Sequence, residues 1–243
     1  MRRLFISDLH LEDKRPDITR AFFHLLDRFT DKVDELYILG DFFEIWLGDD
    51  ALTPTAQEVA SRLNRFSAHA RIFILHGNRD FLIGENYASQ CGAELIHEPH
   101  LIQIQGKNTL LMHGDTLCTE DTQYMDFRKM VRNPEWQNAF LSQSVEERIA
   151  FGRQARAQSQ EDTKEKSDEI LDVTPAEVIR VVEEHQAHWF IHGHTHRPAR
   201  HILEAQNAER TVLGERIVLG DWHEKGWYVY SDDTRLELQS FAF

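Results

Sequence analysis

Five short apolar runs in this chain each stop at a polar turn, and that repetition limits the fold more than any other feature. Residues 3–7 lead into Asp8-Leu9-His10, 35–39 into Gly40-Asp41, 71–75 into His76-Gly77-Asn78, 109–112 into His113-Gly114, and 189–191 into His192-Gly193-His194. Runs of this length, rich in β-branched and aromatic residues and bounded by Gly, Asp and Asn, read as buried strands. Helix-like stretches at 18–29 and 54–68 separate the first three. Strands alternating with helices predict an α/β sheet whose site lies at the carboxyl ends of the strands.

From residue 120 to residue 186 the pattern changes to polar sequence with apolar residues at helical spacing, such as Tyr124, Phe127, Met130 and Val131. This predicts several helices inserted between strands. Strand patterns return at 215–219, 226–230 and 236–240, with turn signals at Asn207, Gly220 and Asp232-Asp233. We therefore expect a single domain, 1–243, carrying a helical insertion at 120–186 that caps the site.

The net charge of −14 argues against a nucleic-acid partner or a generally anionic-surface binder, because such partners are polyanions. Cys91 and Cys118 are the only cysteines, far apart and in no metal-binding spacing, so no disulfide framework is expected. The opening MRRLFISDLH has no apolar run long enough for a signal peptide, and a cytoplasmic protein is expected.

The strand ends carry Asp8-x-His10, Gly40-Asp41, Gly77-Asn78, His113-Gly114 and Gly193-His194-Thr195-His196. Singly, each is a turn or capping residue as readily as a ligand. Together they would converge on one edge of one sheet, and on an extended segment the two side chains of D-x-H or H-x-H would share a face. Mixed carboxylate, imidazole and amide donors suit borderline-hard divalent ions such as Mn²⁺. His24, His69, His97, His100, His185, His188, His201 and His223 fall outside the pattern and read as surface or packing residues, while His192 should point away from His194 and His196.

The order D-x-H, G-D, G-N, H-G and G-H-x-H resembles the calcineurin-like metallophosphoesterase family over residues 8–196. The resemblance implies a β-sandwich flanked by helices. It also implies two divalent metal ions, with Asp8, His10, Asp41 and His196 on the first and Asp41, Asn78, His113 and His194 on the second. Asp41 would bridge, and paired cations would acidify a water and neutralise phosphoryl charge.

Many family members have His after the Asn of G-N; here Arg79-Asp80 follows. Arginine is not a general acid near neutral pH, but its planar fork suits phosphate oxygens, so the leaving group should be one that departs unprotonated, as in an anhydride. An Arg79–Asp80 ion pair is the alternative.

Longer strings, SDLHLE (7–12), LYILGDFFEIWLGDD (36–50), HGNRDFLIG (76–84), LMHGDTLCTED (111–121) and WFIHGHTHRPA (189–199), are similar to the UDP-2,3-diacylglucosamine pyrophosphatases of lipid A biosynthesis. That branch implies release of UMP and 2,3-diacylglucosamine 1-phosphate, generally with Mn²⁺, by a peripheral protein at the cytoplasmic face of the inner membrane. It puts substrate contacts at Asn78, Arg79, Asp121, Ser159, Thr163, Lys166 and His194, with Arg79, Asn78 and His194 as the catalytic candidates, and implies no obligate protein partner.

A diacylated substrate also needs an apolar cleft, for which Phe81, Leu82, Tyr124, Phe127, Met130, Trp136, Phe140, Leu141, Ile149 and Phe151 are available, although such stripes also form ordinary core. Between 128 and 156, Arg128, Lys129, Arg132, Arg148, Arg153 and Arg156 outnumber Glu135, Glu146 and Glu147. That stretch suits a diphosphate or a membrane surface, or is a solvated helical face. The competing functions are a soluble dinucleoside polyphosphate hydrolase or nucleotide phosphodiesterase of the same family, indifferent to acyl chains, and a non-catalytic scaffold, which would not need all seven donors.

Overall fold

The computed structural model describes residues 1–166, 170–204 and 211–243, without the side chains of residues 160 and 162–165. The first half runs β1 (Arg3–Ile6), α1 (Pro16–Phe29), β2 (Glu35–Leu39), α2 (Pro54–Phe66), β3 (Arg71–Leu75), α3 (Glu85–Cys91), β4 (Ala93–Ile96), β5 (His100–Ile104) and β6 (Lys107–Leu111). Then follow α4 (Thr122–Val131), α5 (Pro134–Leu141), α6 (Val145–Glu165), α7 (Pro175–Glu184), β7 (Trp189–His192), β8 (Ala199–Glu204), β9 (Val212–Val218), β10 (Lys225–Ser231) and β11 (Leu236–Ala242).

The strands form two sheets, in the orders β11-β10-β1-β2-β3-β4 and β5-β6-β7-β9-β8. The expectation of one sheet edge is therefore corrected: the first three motifs end strands of one sheet and the last two end strands of the other. Residue spacing cannot separate these cases, because each run describes a strand without naming its neighbour.

Alternation along the strands builds the layers. Phe5, Tyr37, Leu39, Phe73 and Leu75 face Ile104, Leu111, Ile191 and Ile217 between the sheets. The intervening residues Leu4, Ile6, Leu36, Ile38, Ile72 and Ile74 pack on Phe22, Leu25 and Leu26 of α1 and Val59 and Leu63 of α2. On the far side, Leu110 and Phe190 bury Val178, Val181 and Val182 of α7. The result is a helix–sheet–sheet–helix sandwich.

The stretch 120–186 thus divides. Helix α7 covers the second sheet, whereas α4–α6, which follow β6, are tied to the loops after β2 and β3 of the first. Their starts are strongly signalled: Asp121 accepts from Tyr124 N (3.1 Å), Asn133 precedes Pro134 and accepts from Glu135 N (2.8 Å), and Ser144 with Glu147 forms a capping box. The rings of Trp136, Phe140 and Phe151 cluster with centroids 4.9–5.7 Å apart, Trp136 stacked on Phe140, and pack on the first-sheet core. Four of the six basic residues between 128 and 156 are occupied in attaching these helices. Arg128 pairs with Asp115 and Glu98, Arg132 donates to Gly77 O, Arg148 pairs with Asp50, and Arg156 pairs with Glu44. Only Lys129 and Arg153 of that set are exposed, so the positive excess in the sequence is not a positive surface.

Candidate functional site

The chain delivers its polar side chains through backbone kinks at the strand ends. Asp8, His10, Asp41, His194 and His196 have φ of 56°, 49°, 49°, 67° and 55°. The expected extended segments are absent here; left-handed turns, uncommon and costly for residues with a Cβ, aim these side chains instead. The crossing of loops is close enough to require glycine. At Gly40 (φ 86°) a Cβ would sit 2.6 Å from His113 Nδ1, and at Gly193 one would sit 2.1 Å from Asp8 Oδ2.

Asp8, His10 and His196 form one group, and Asp8, Asp41 and His113 a second, each with its donor atoms within 4.8 Å of one another. His10 Nε2 lies 3.3 Å from His196 Nε2, and His196 Nε2 lies 3.4 Å from Asp8 Oδ1. Asn78 Oδ1 is 2.9 Å from both His113 Nε2 and His194 Nδ1, which joins Asn78 and His194 to the second group. Asp41 stands between the groups, with Oδ2 3.8 Å from His10 Nε2 and Oδ1 3.6 Å from His113 Nε2. All seven candidate ligands are therefore brought together. The donor set, oxygen and nitrogen without sulfur, fits hard to borderline divalent cations, and ring nitrogens turned toward one another are the arrangement that a cation between them would satisfy.

Outer contacts orient these donors. His113 Nδ1–H donates to Leu39 O (2.9 Å), so that in the neutral ring Nε2 carries the electron pair. Asp8 accepts from Ser7 Oγ (2.5 Å) and His194 N (3.0 Å), and Asp41 accepts from Arg79 N (2.8 Å). Burial works against the Asp8 carboxylate, but hydrogen bonding and charge from His196, with His113 and His10, hold its pKa well below the usual range. Burial also works against protonated His113, yet the charges of Asp41, Asp8 and Asp115 raise it to about 9. His194 moves the other way, pushed down to about 4 by burial and then by His113.

Asp80 does not pair with Arg79. One of its oxygens accepts from Gly77 N (2.8 Å) and the other from Phe42 N (2.7 Å), so it ties the loop carrying Asp41 to the loop carrying Asn78. Arg79 Nε is buried without a hydrogen-bond partner, and the side chain lines a cavity of about 480 Å³. That cavity also collects Asn78, Asp121, Ser159, Lys166, His194 and His196, with Ile45, Leu47, Phe81, Phe127, Trp136, Phe140 and Phe151 forming an apolar part beneath α4–α6. Lys166 Nζ pairs with Asp121 at 2.8 Å. Of the apolar candidates, Met130 and Leu141 are exposed, at 46% and 38%. The Thr163 side chain lies outside the described residues.

Sequence reasoning passed over Glu44, whose Oε2 is 3.0 Å from His10 Nδ1. Its one signal was a charge inside the otherwise apolar string FFEIW. It also passed over Asp115, fully buried, which accepts from Tyr124 and Arg128 and so fixes α4 beside His113 and His194.

A four-layer sandwich with His, Asp and Asn donors gathered where both sheets end is the build of a metal-dependent phosphoesterase. The chain belongs to the calcineurin-like phosphoesterase family, whose sequence model matches residues 1–198. Members of that family use divalent metal ions. It is 52% identical to the UDP-2,3-diacylglucosamine hydrolase of Cellvibrio japonicus over 99% of both chains. It is 48% identical to the protein of that name from Hahella chejuensis, over 98% of this chain and 96% of that one. A third, from Ectopseudomonas mendocina, is also 48% identical and is matched over 94% of this chain and 93% of its own length.

Proposed function

We propose that this chain hydrolyses the pyrophosphate bond of UDP-2,3-diacylglucosamine, releasing UMP and 2,3-diacylglucosamine 1-phosphate in lipid A biosynthesis. The observation that carries this reading is one continuous cavity joining the metal-type donors and Arg79 to an aromatic, apolar recess. A nucleotide phosphodiesterase or dinucleoside polyphosphate hydrolase has no use for that recess. The full-length similarity to relatives bearing the hydrolase name supports the same substrate.

In this reading Asp8, His10, Asp41 and His196 hold one divalent cation and Asp41, Asn78, His113 and His194 the other, both Mn²⁺. Bound there, they supply positive charge to phosphoryl oxygens and acidify a water. The chain's own residues do the rest. Arg79 binds a phosphate oxygen with its guanidinium fork, whose buried Nε has no partner among the described residues. It donates hydrogen bonds to charge developing on the phosphate and gives up no proton, which suits a phosphate leaving group. Asn78 and His194 orient the scissile phosphate. Asp121, Ser159 and Lys166 hold the sugar phosphate end, together with Thr163, and the aromatic recess takes acyl chain and excludes water.

Such a substrate sits in a bilayer, and we place the protein at the cytoplasmic face of the inner membrane as a peripheral protein. Among the described residues no helix is long and apolar enough to cross a membrane.

The test is Mn²⁺-dependent UMP release from UDP-2,3-diacylglucosamine, beside UDP-N-acetylglucosamine and a simple phosphodiester. Preference for the diacylated compound is expected. Equal or better turnover of the others would keep the metal chemistry and overturn the lipid substrate.

A further inference from the structure

The four outer contacts named above come from backbone or from a neighbouring residue in sequence, but His10 is approached by a carboxylate from a different loop. Glu44 follows Asp41 by three residues, beyond the kink at Asp41, and its backbone N–H donates to Leu11 O at 3.2 Å. The isolated bridge between Leu11 and Phe43 fixes the two loops side by side. This places Glu44 Oε2 3.0 Å from His10 Nδ1, while His10 Nε2 faces His196 and Asp41 at 3.3 and 3.8 Å. The other oxygen, Oε1, is 2.6 Å from Arg156 Nε on α6. Glu44 is therefore held at both ends, with a side chain only 20% exposed.

We propose that Glu44 is a positioning residue for the metal centre: it holds the His10 ring so that Nε2 presents its electron pair to the donor group, and Arg156 anchors it from the cap. This rests on the reading of His10 as a metal ligand. A neutral imidazole carries one proton, and the negative charge of a carboxylate 3.0 Å from Nδ1 favours the tautomer with that proton on Nδ1, although Nδ1 makes no aligned hydrogen bond among the described residues. Without Glu44 the ring is free to rotate and to adopt the other tautomer, in which Nε2 carries the proton and has no electron pair to offer. Arg156 matters because a lone glutamate at this position could turn to solvent. The ion pair fixes it, and so makes the metal centre sensitive to the seating of α6.

The experiment is equilibrium binding of Mn²⁺ to the metal-stripped full chain, read as bound metal per chain across a concentration series. Thermal melting in chelator is followed in parallel. Glu44→Ala is expected to weaken one Mn²⁺ site by about 10- to 100-fold, the range for loss of an outer-sphere partner of a ligating histidine. Glu44→Gln, which keeps an acceptor oxygen, should fall between Glu44→Ala and the parent. Arg156→Gln should weaken the same site by less than Glu44→Ala does. Melting in chelator should stay close to the parent for Glu44→Gln, so a loss of affinity there cannot be ascribed to misfolding. Parent-like Mn²⁺ binding by both Glu44 variants, with His10→Ala losing the site, would overturn the proposal and leave His10 as a ligand. Absence of Mn²⁺ uptake by the parent chain would instead overturn the metal reading, and this inference with it.

Discussion

Single residues at the site are constrained by what they exclude as much as by what they contact. Gly40 and Gly193 let loops cross where a Cβ would collide with His113 and Asp8, and the left-handed conformations of Asp8, His10, Asp41, His194 and His196 store backbone strain where the donors converge. Arg79 differs from these, because among the described residues nothing partners its buried Nε while its backbone N–H is committed to Asp41. Arg79→Ala is therefore expected to lower turnover by about 100-fold or more, the usual cost of removing one donor to transition-state charge, with bound metal unchanged. Arg79→Lys should restore little, since a point charge replaces a fork. Steady-state UMP release and metal analysis on the same samples check both statements, and parent-like kinetics in Arg79→Ala would reduce the residue to a structural one.

At the level of elements, α4–α6 are attached to the sandwich chiefly by arginines, and Arg148 is the most deeply set of them. Its side chain is 2% exposed and donates to Leu47 O at 2.6 Å and Asp50 Oδ1 at 2.8 Å. Asp50 itself is 63% exposed, so solvent screens the pair's charge, and the buried guanidinium's bonds to carbonyl and carboxylate matter more than the ion pair as such. Arg148→Ala should cost about 1.5–3 kcal/mol locally. The expected readout is faster amide exchange in α5 and α6 with β1–β3 unaffected. Uniform acceleration across the chain would show that the cap and the sandwich open together.

The molecule as a whole buries two imidazoles next to the site that are not among the donors. His76, after β3, is pushed down to about 4 by burial, and His192, closing β7, to about 3 by burial and by Arg216. An unfolded imidazole titrates near 6.5, so below that pH the unfolded chain takes up protons that the folded chain refuses, and stability falls as pH drops from 6.5 toward 4. Asp80, raised to about 6 by burial and Asp41, acts in the opposite direction between pH 6 and 3.8, whereas His194, lowered to about 4, adds to the decline of His76 and His192. Denaturant midpoints of the metal-free protein should therefore decline from pH 7 to pH 5. His76→Gln, which keeps a donor for Ile83 O, should shrink that decline, and an unchanged slope would remove His76 as a contributor.

The sequence alone determined that buried strands end in Asp, His and Asn beside Gly, and that helices fill 18–29, 54–68 and the region after 120. Those properties are local: hydrophobic period, turn chemistry and capping residues act over a few neighbours. The short elements α3, β4, β5 and β8 gave weaker signals and were passed over, since strands of 4–6 residues at a sheet edge carry little alternation. Tertiary structure decided that the strands divide between two sheets, that α7 belongs to the sandwich and α4–α6 to the cap, and that most of the basic residues there are spent on anchoring. It also decided the contacts of Asp80, Asp115 and Glu44. Each of these depends on pairs far apart in the chain, such as His10 with His196 or Glu44 with Arg156, and such pairings are set by how layers pack, which no local pattern records.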